Sequence, residues 1–300
     1  MYNKYRTVIF FEVLYIVDRF FKMIYVVFML FILLPFRSLI IFIRTFLIVL
    51  FLVFVWNISN WTYLASSKMS QLIPAVRVAA TAKPAKSAII FVHGLGDSGS
   101  GWSWFPQLAK QSNIVKNCDS INYVFPNAPS MPITANGGYV MPGWFDIYEF
   151  GNPEAKQDVD GFHKSCETLK NLIKEQVDNH DIPAEKIIIG GFSQGAAVSL
   201  ATVALLDFKV GGVVALSGFS PIKESLPQVM NKANLETPIF QGHGTADPII
   251  NFDYGKQTSE LYQKLGFKNA KFHTYPGVAH SASEEELADA MKFIDDVLNK

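Results

Sequence analysis

Residues 186–206 read Lys-Ile-Ile-Ile-Gly-Gly-Phe-Ser-Gln-Gly-Ala-Ala-Val-Ser-Leu-Ala-Thr-Val-Ala-Leu-Leu, and this stretch decides the fold. Lys186 to Gly190 is the most strand-like run in the chain, and Ala196 to Leu206 is alanine-rich and helical. Between them Gly191-Phe-Ser-Gln-Gly195 fits G-x-S-x-G. The five-residue pattern alone is weak. Its context, a buried strand feeding a sharp turn that opens a helix, makes it a nucleophile elbow. Such a turn tolerates only small neighbours around its serine, and Gly191, Gly195 and Ala196 supply them. Ser193 would then stand out of the turn at the C-terminal edge of a sheet.

Outward from the elbow the pattern alternates strand and helix, which predicts an α/β fold with a mostly parallel central sheet and helices on both faces. Ser87–Val92, Asn122–Phe125, Gly212–Ser217, Pro238–Gly242 and Ala270–Tyr275 read as strands. Trp104–Gln111, Gln157–Asn179 and Phe252–Leu265 read as helices, Cys166 lying on the apolar face of the second. A last helix begins with a capping box, Ser283 and Glu286, and turns Leu287, Met291, Ile294 and Leu298 inward. Pro126 to Gly161 shows no regular pattern, and a stretch of that length in a compact domain is usually functional.

A serine hydroxyl needs a positioned base, and elbow-bearing sheets place an acid and then a histidine after the serine. His163 and His180 lie on a helix upstream of Ser193, and His273 lies within a strand. His280 follows the last strand in Pro276-Gly-Val-Ala-His280, on the same edge as Ser193, and is the base by elimination. Asp247, just past the strand Pro238–Gly242, is the acid. Asp253 is the runner-up but belongs to the following helix, and His243 precedes the acid and reads as packing or hydrogen bonding. The oxyanion hole would use the backbone amides of Gln194, after the nucleophile, and of Leu95 in the loop His93-Gly-Leu-Gly. That loop is no dinucleotide fingerprint, for the later acidic ribose contact is missing.

Composition agrees with an enzyme of modest charge. Of 300 residues 50% are hydrophobic and 17% charged, with formal net charge zero, which excludes a disordered chain and a basic nucleic-acid binder. The two cysteines, Cys118 and Cys166, fit a reducing compartment, and no CxxC or HExxH supports a metal. Neutrality hides a division, however. Residues 1–68 carry seven Lys/Arg against Glu12 and Asp18, a net +5, and 11 of the 25 phenylalanines precede Leu64. Met23–Phe36 and Thr45–Ile58 are uncharged runs of 14 residues, each short of the roughly 20 that span a bilayer, and Ser38–Trp56 carries Arg44 in its middle. Two readings stand: a membrane anchor, as a single helix or a tight helical hairpin, or T-rich DNA upstream of a start at Met69 read as protein. T at the second codon position encodes only Phe, Leu, Ile, Met and Val. A domain boundary is therefore expected between 68 and 69, with a catalytic domain over 69–300.

His93-Gly-Leu-Gly-Asp97, Met141-Pro-Gly-Trp-Phe-Asp-Ile147, Gly190-Gly-Phe-Ser-Gln-Gly-Ala-Ala197, Leu216-Ser-Gly218, Gly242-His-Gly244, Asp247-Pro248 and Ala279-His-Ser281 together resemble the fungal acyl-protein thioesterases, of the phospholipase/carboxylesterase family of α/β-hydrolases. The likeness runs from about Val76 to the C-terminus. It implies a single-domain α/β-hydrolase that removes palmitoyl and related acyl groups from cysteines of membrane-associated proteins, and that also accepts lysophospholipids and small esters. Its triad falls on Ser193, Asp247 and His280, with Leu95 and Gln194 as oxyanion donors, and Trp144 matches a family tryptophan near the acyl site. Met141 and Pro142, with their neighbours between Pro126 and Ile147, are expected to line an acyl channel. No cofactor, metal or nucleic acid is implied. The location implied is cytoplasmic and also nuclear, or membrane-anchored if residues 1–68 are translated. Thr245 departs from the aspartate that relatives often carry, and no apolar leader matches the family. A lysophospholipase or general carboxylesterase would share every catalytic residue, whereas a non-catalytic binding protein on this fold would be marked by a broken triad.

Overall fold

A computed structural model of the chain describes residues 73–152 and 155–299, together with Lys22, Phe51, Val53 and Phe54, which are helical. The expectations for residues 1–68 thus lie almost wholly outside the described residues. Among the described residues no helix is long and apolar enough to cross a membrane. The chain divides into two compact units, Met1–Leu72 and Ile73–Lys300, and the architecture below is that of the second.

In chain order its main elements are β1 (Ala75–Val78), β2 (Ser87–Val92), α1 (Phe105–Ser112), β3 (Ile121–Pro126), β4 (Ser130–Ile133), β5 (Tyr139–Pro142), α2 (Val159–His180), β6 (Ile187–Phe192), α3 (Gln194–Leu205), β7 (Gly212–Leu216), β8 (Ile239–Gly244), α4 (Phe252–Lys264), β9 (Ala270–Tyr275) and α5 (Glu284–Leu298). Seven strands form one sheet in the order β1-β3-β2-β6-β7-β8-β9, parallel except for β1, which runs antiparallel to β3 on the edge. The expected α/β architecture is therefore the observed one. Helices α2, α3 and α4 cover one face and α1 and α5 the other. That two-sided cover explains why β2, β3 and β7 are buried along their whole length and are mostly apolar rather than alternating.

Helix α3 is buried over nearly its whole circumference, which its Gly, Ala and Val composition allows. Strand β6 runs on through Gly191 and Phe192, two residues beyond the apolar run, and hands the chain directly to Ser193. The segment expected to be irregular contains a hairpin, β4 with β5, in register Met131↔Met141 and Pro132↔Val140. Both strands carry proline and are only four residues long, and β5 shows no alternation of burial, so the sequence pattern does not betray the hairpin. At α5 the Ser283 hydroxyl accepts the Glu286 amide at 3.1 Å, but neither Glu286 carboxylate oxygen has a hydrogen-bond partner, so only half of the capping box closes.

Candidate active site

Ser193 sits at φ 55°, ψ −117°, a backbone conformation rare for any residue with a Cβ. The strain, on the order of 1–3 kcal/mol, is held by its surroundings. The Ser193 amide donates to the Leu216 carbonyl on β7 at 2.9 Å. The turn is also too tight for side chains at its glycines. A Cβ on Gly195 would stand 2.0 Å from the Val92 carbonyl oxygen, and one on Gly191 2.4 Å from the Gly195 carbonyl carbon. The glycines of G-x-S-x-G are thus required by contact with β2 and with each other.

Three loops at the C-terminal ends of β6, β8 and β9 bring Ser193, Asp247 and His280 together. His280 Nε2 lies 3.0 Å from Ser193 Oγ, and His280 Nδ1 lies 2.7 Å from Asp247 Oδ2. A carboxylate only accepts, so Nδ1 carries the proton and Nε2 presents its lone pair to the serine hydroxyl. The remaining oxygen, Asp247 Oδ1, accepts the amides of Ile249 and Ile250, each at 2.9 Å. Burial alone would raise the Asp247 carboxyl, but the His280 hydrogen bond and the two amides outweigh it and hold it below the usual carboxylate range. The acid and histidine loops are stitched together: the Thr245 and Ala246 amides donate to the Tyr275 and Val278 carbonyls, each at 3.0 Å, and the Gly277 amide donates to Thr245 Oγ1 at 2.9 Å. Asp253, the alternative acid, lies in the first turn of α4 and makes no hydrogen bond to His280.

The amide of Gln194 is the first of α3, one of the donors that a helix leaves without an intrahelical acceptor. That of Leu95 has no acceptor among the described residues. Both residues border the same cleft as Ser193. The Leu95 loop is anchored from below. The Ala128 amide donates to His93 Nε2 at 3.1 Å, so His93 carries its proton on Nδ1, which faces the Gly94 carbonyl at 2.6 Å; burial keeps the ring neutral by lowering its pKa. The Gly96 amide reaches the Pro142 carbonyl at 2.8 Å.

Of the residues expected at the acyl channel, Trp144, Met141 and Pro142 pack around this loop. Trp144 is only 4% exposed and stands behind the cleft wall, its indole Nε1 donating to the His93 carbonyl at 2.8 Å. Met141 and Pro142 support the Leu95 loop from the hairpin and do not line the cleft. The Gln194 side chain, whose position the motif marks but whose use it does not, clamps this wall: Oε1 accepts the Trp144 amide at 3.0 Å and Nε2 donates to the Phe145 carbonyl at 2.9 Å.

The cleft has a volume of about 490 Å³, within the usual range for ligand sites. Phe145, Ile147, Phe150, Phe219, Ile249, Ile250 and Tyr254 give it an apolar wall, and Ser193 and His280 border it. Phe219 stacks on Tyr254 at 5.8 Å and meets Phe145 at 6.2 Å. Of these wall residues, Phe145 and Ile147 lie in the segment Pro126–Ile147 that was expected to line an acyl channel, and the other five lie outside it. They come from the 145–150 segment after β5, the loop after β7 and the α4 entry after β8, and of these strands only β7 pairs with the elbow strand β6. Among the described residues no group of three or more His, Cys, Asp or Glu side chains is arranged to hold a metal ion.

A hydrogen-bonded Ser-His-Asp row on this sheet, opening on an apolar cleft, is the apparatus of acyl transfer. The comparisons agree. The family model described as Phospholipase/Carboxylesterase matches residues 74–298. The chain is 95% identical over 232 residues to Acyl-protein thioesterase 1 of Debaryomyces hansenii, covering 77% of this chain and all of that protein. It is 65% identical to Acyl-protein thioesterase 1 of Candida albicans over 231 residues, 76% of this chain and 99% of that one. Among solved structures, Arabidopsis thaliana SOBER1 superimposes with a TM-score of 0.67 at 30% identity, over 71% of this chain and all of that one. The chain belongs to the phospholipase/carboxylesterase family of α/β-hydrolases and is a serine hydrolase of the thioesterase kind.

Proposed function

We propose that this enzyme hydrolyses the thioester of S-acylated cysteines in membrane-associated proteins, with Ser193 as nucleophile, His280 as general base and acid, and Asp247 as the group that orients and stabilises the imidazolium. The observation that carries this reading is the 3.0 Å and 2.7 Å row from Ser193 through His280 to a buried Asp247, set at the mouth of an apolar cleft. Its substrate class follows from the acyl-protein thioesterases to which the chain is similar.

Ser193 Oγ attacks the thioester carbonyl as His280 Nε2 takes its proton. Negative charge develops on the carbonyl oxygen, where the amides of Leu95 and Gln194 receive it, each such donor being worth roughly 3–4 kcal/mol in the transition state. Collapse expels the cysteine thiol, protonated by His280, and leaves an acyl ester on Ser193. Water, deprotonated by the same Nε2, then attacks that ester and releases the fatty acid, returning the proton to Ser193. The Phe145, Phe219 and Tyr254 wall holds the alkyl chain. On this reading residues 69–300 carry the whole catalytic apparatus. Both cysteines are free thiols, in keeping with work in the cytoplasm.

Turnover of a palmitoylated cysteine peptide and of a lysophospholipid, each by wild type and Ser193→Ala, tests the proposal. A higher kcat/KM on the thioester, abolished by the substitution, is expected. Preference for the lysophospholipid would make the enzyme a lysophospholipase with the same machinery.

A further inference from the structure

His243 is fully buried at the end of β8, four residues before Asp247, and no step of the reaction uses it. Its Nε2 lies 2.8 Å from the Ile250 carbonyl oxygen, an acceptor, so Nε2 carries the ring proton. The same nitrogen stands 3.6 Å from Asp247 Oδ2, the oxygen that receives His280. Among the described residues its other nitrogen, Nδ1, has no hydrogen-bond partner, and it faces Gly255 of α4, where a Cβ would come within 2.2 Å of it. Phe252 and Phe272 close in on the ring from α4 and β9. The ring therefore has one donor, and that donor holds the far end of the loop whose near end carries the acid.

The loop closes on itself through that contact. Asp247 Oδ1 accepts the Ile249 and Ile250 amides, while the Ile250 carbonyl accepts from His243. Release of the Ile250 carbonyl would free the two amides that fix Oδ1, and the carboxylate could then rotate Oδ2 away from His280.

We infer that His243 is a positioning residue for the hydrolysis, clamping the 247–250 loop through Ile250 so that Asp247 meets the catalytic histidine in the productive geometry. This rests on the reading of Ser193, His280 and Asp247 as the triad. The ring acts through its Nε2 donor and not through its bulk. Glutamine can place an amide nitrogen near the position of Nε2, phenylalanine keeps the ring without the donor, and asparagine is too short to reach Ile250.

The test is steady-state kinetics of the full-length enzyme and its His243→Gln, His243→Phe, His243→Asn and Asp247→Ala variants on the palmitoylated peptide. It is paired with the downfield proton signal of the His280 Nδ1–H in each. His243→Phe and His243→Asn should lose about 10- to 100-fold in kcat, the range seen when a supporting partner is removed, with KM little changed and the downfield signal shifted or lost. His243→Gln should recover most of kcat and the signal. The inference is overturned if folded His243→Phe or His243→Asn turns over like wild type, or if His243→Gln is no better than either. Full activity in Asp247→Ala would instead overturn the triad reading itself. Loss in Asp247→Ala with none in the His243 variants would refute only the positioning role.

Discussion

Replacing Glu286 with glutamine should change how stability depends on pH. Glu286 is fully buried on the first turn of α5, against Gly242 of β8, where a Cβ would lie 2.3 Å from Oε1. Among the described residues neither of its oxygens has a hydrogen-bond partner. Burial pushes its carboxyl from an ordinary 4.5 to about 7, with the nearby Ser283 amide opposing the shift and the charge of Asp247 adding to it. Between those values the folded protein holds a proton that the unfolded chain has released. Stability therefore falls as pH rises through that window, and the penalty is complete above 7. The displacement corresponds to about 3 kcal/mol. A glutamine carries no charge at any pH and escapes this term. Urea unfolding of wild type and Glu286→Gln at pH 5 and pH 8 measures it directly, since every other titrating group is common to both. Part of the penalty is already present at pH 5, so the difference, variant minus wild type, should rise by about 2.5 kcal/mol from the acid to the alkaline condition. Equal pH dependence in the two proteins would show that Glu286 ionises as freely in the fold as in the unfolded chain, and the argument from its burial would fail.

The remaining predictions concern the elbow, its wall and the acid. Gly195→Ala drives a Cβ to 2.0 Å from the Val92 carbonyl; it should destabilise by more than about 4 kcal/mol, read as loss of soluble protein or of a thermal transition. Gln194→Ala leaves the Trp144 amide and Phe145 carbonyl without their partners, which should cost on the order of 1–3 kcal/mol per group by urea unfolding and raise KM for long acyl chains more than for acetyl esters. Gly255→Ala, whose Cβ would stand 2.2 Å from His243 Nδ1, should lower kcat by displacing that ring. Asp247→Asn, which loses the acceptor that sets the His280 tautomer, should lower kcat by about 10⁴-fold with little change in KM.

Much of the site was legible because its chemistry is written in one dimension. Ser193, Asp247 and His280 each follow a strand of the parallel sheet, so chain order and strand ends place all three on one edge. The strands themselves were visible as apolar runs because both faces of the sheet are covered. Their ends were not: β6 continues through Gly191 and Phe192 because the tight elbow needs glycine where an apolar run would stop. The β4–β5 hairpin and edge strand β1 carry no clean alternation, since their residues meet the core on one side only in part. The cleft wall was hidden for a different reason. Phe145 falls in the segment expected at the acyl channel, but Phe219 and Tyr254 look like any core residues in sequence, and only the three-dimensional meeting of three loops distinguishes them. Trp144 shows the converse: a residue conspicuous in its motif turns its one polar atom to the His93 carbonyl and supports the wall from behind.

The central claim is that acyl transfer passes through Ser193. Rapid-quench mass spectrometry of the enzyme mixed with excess palmitoyl-cysteine peptide measures this directly. The account predicts an acyl group on the peptide that contains Gly191-Phe-Ser-Gln-Gly195, formed and consumed at rates that match turnover and absent in Ser193→Ala. Sustained turnover by Ser193→Ala, or an acyl adduct on any other residue with turnover-matched kinetics, would contradict it.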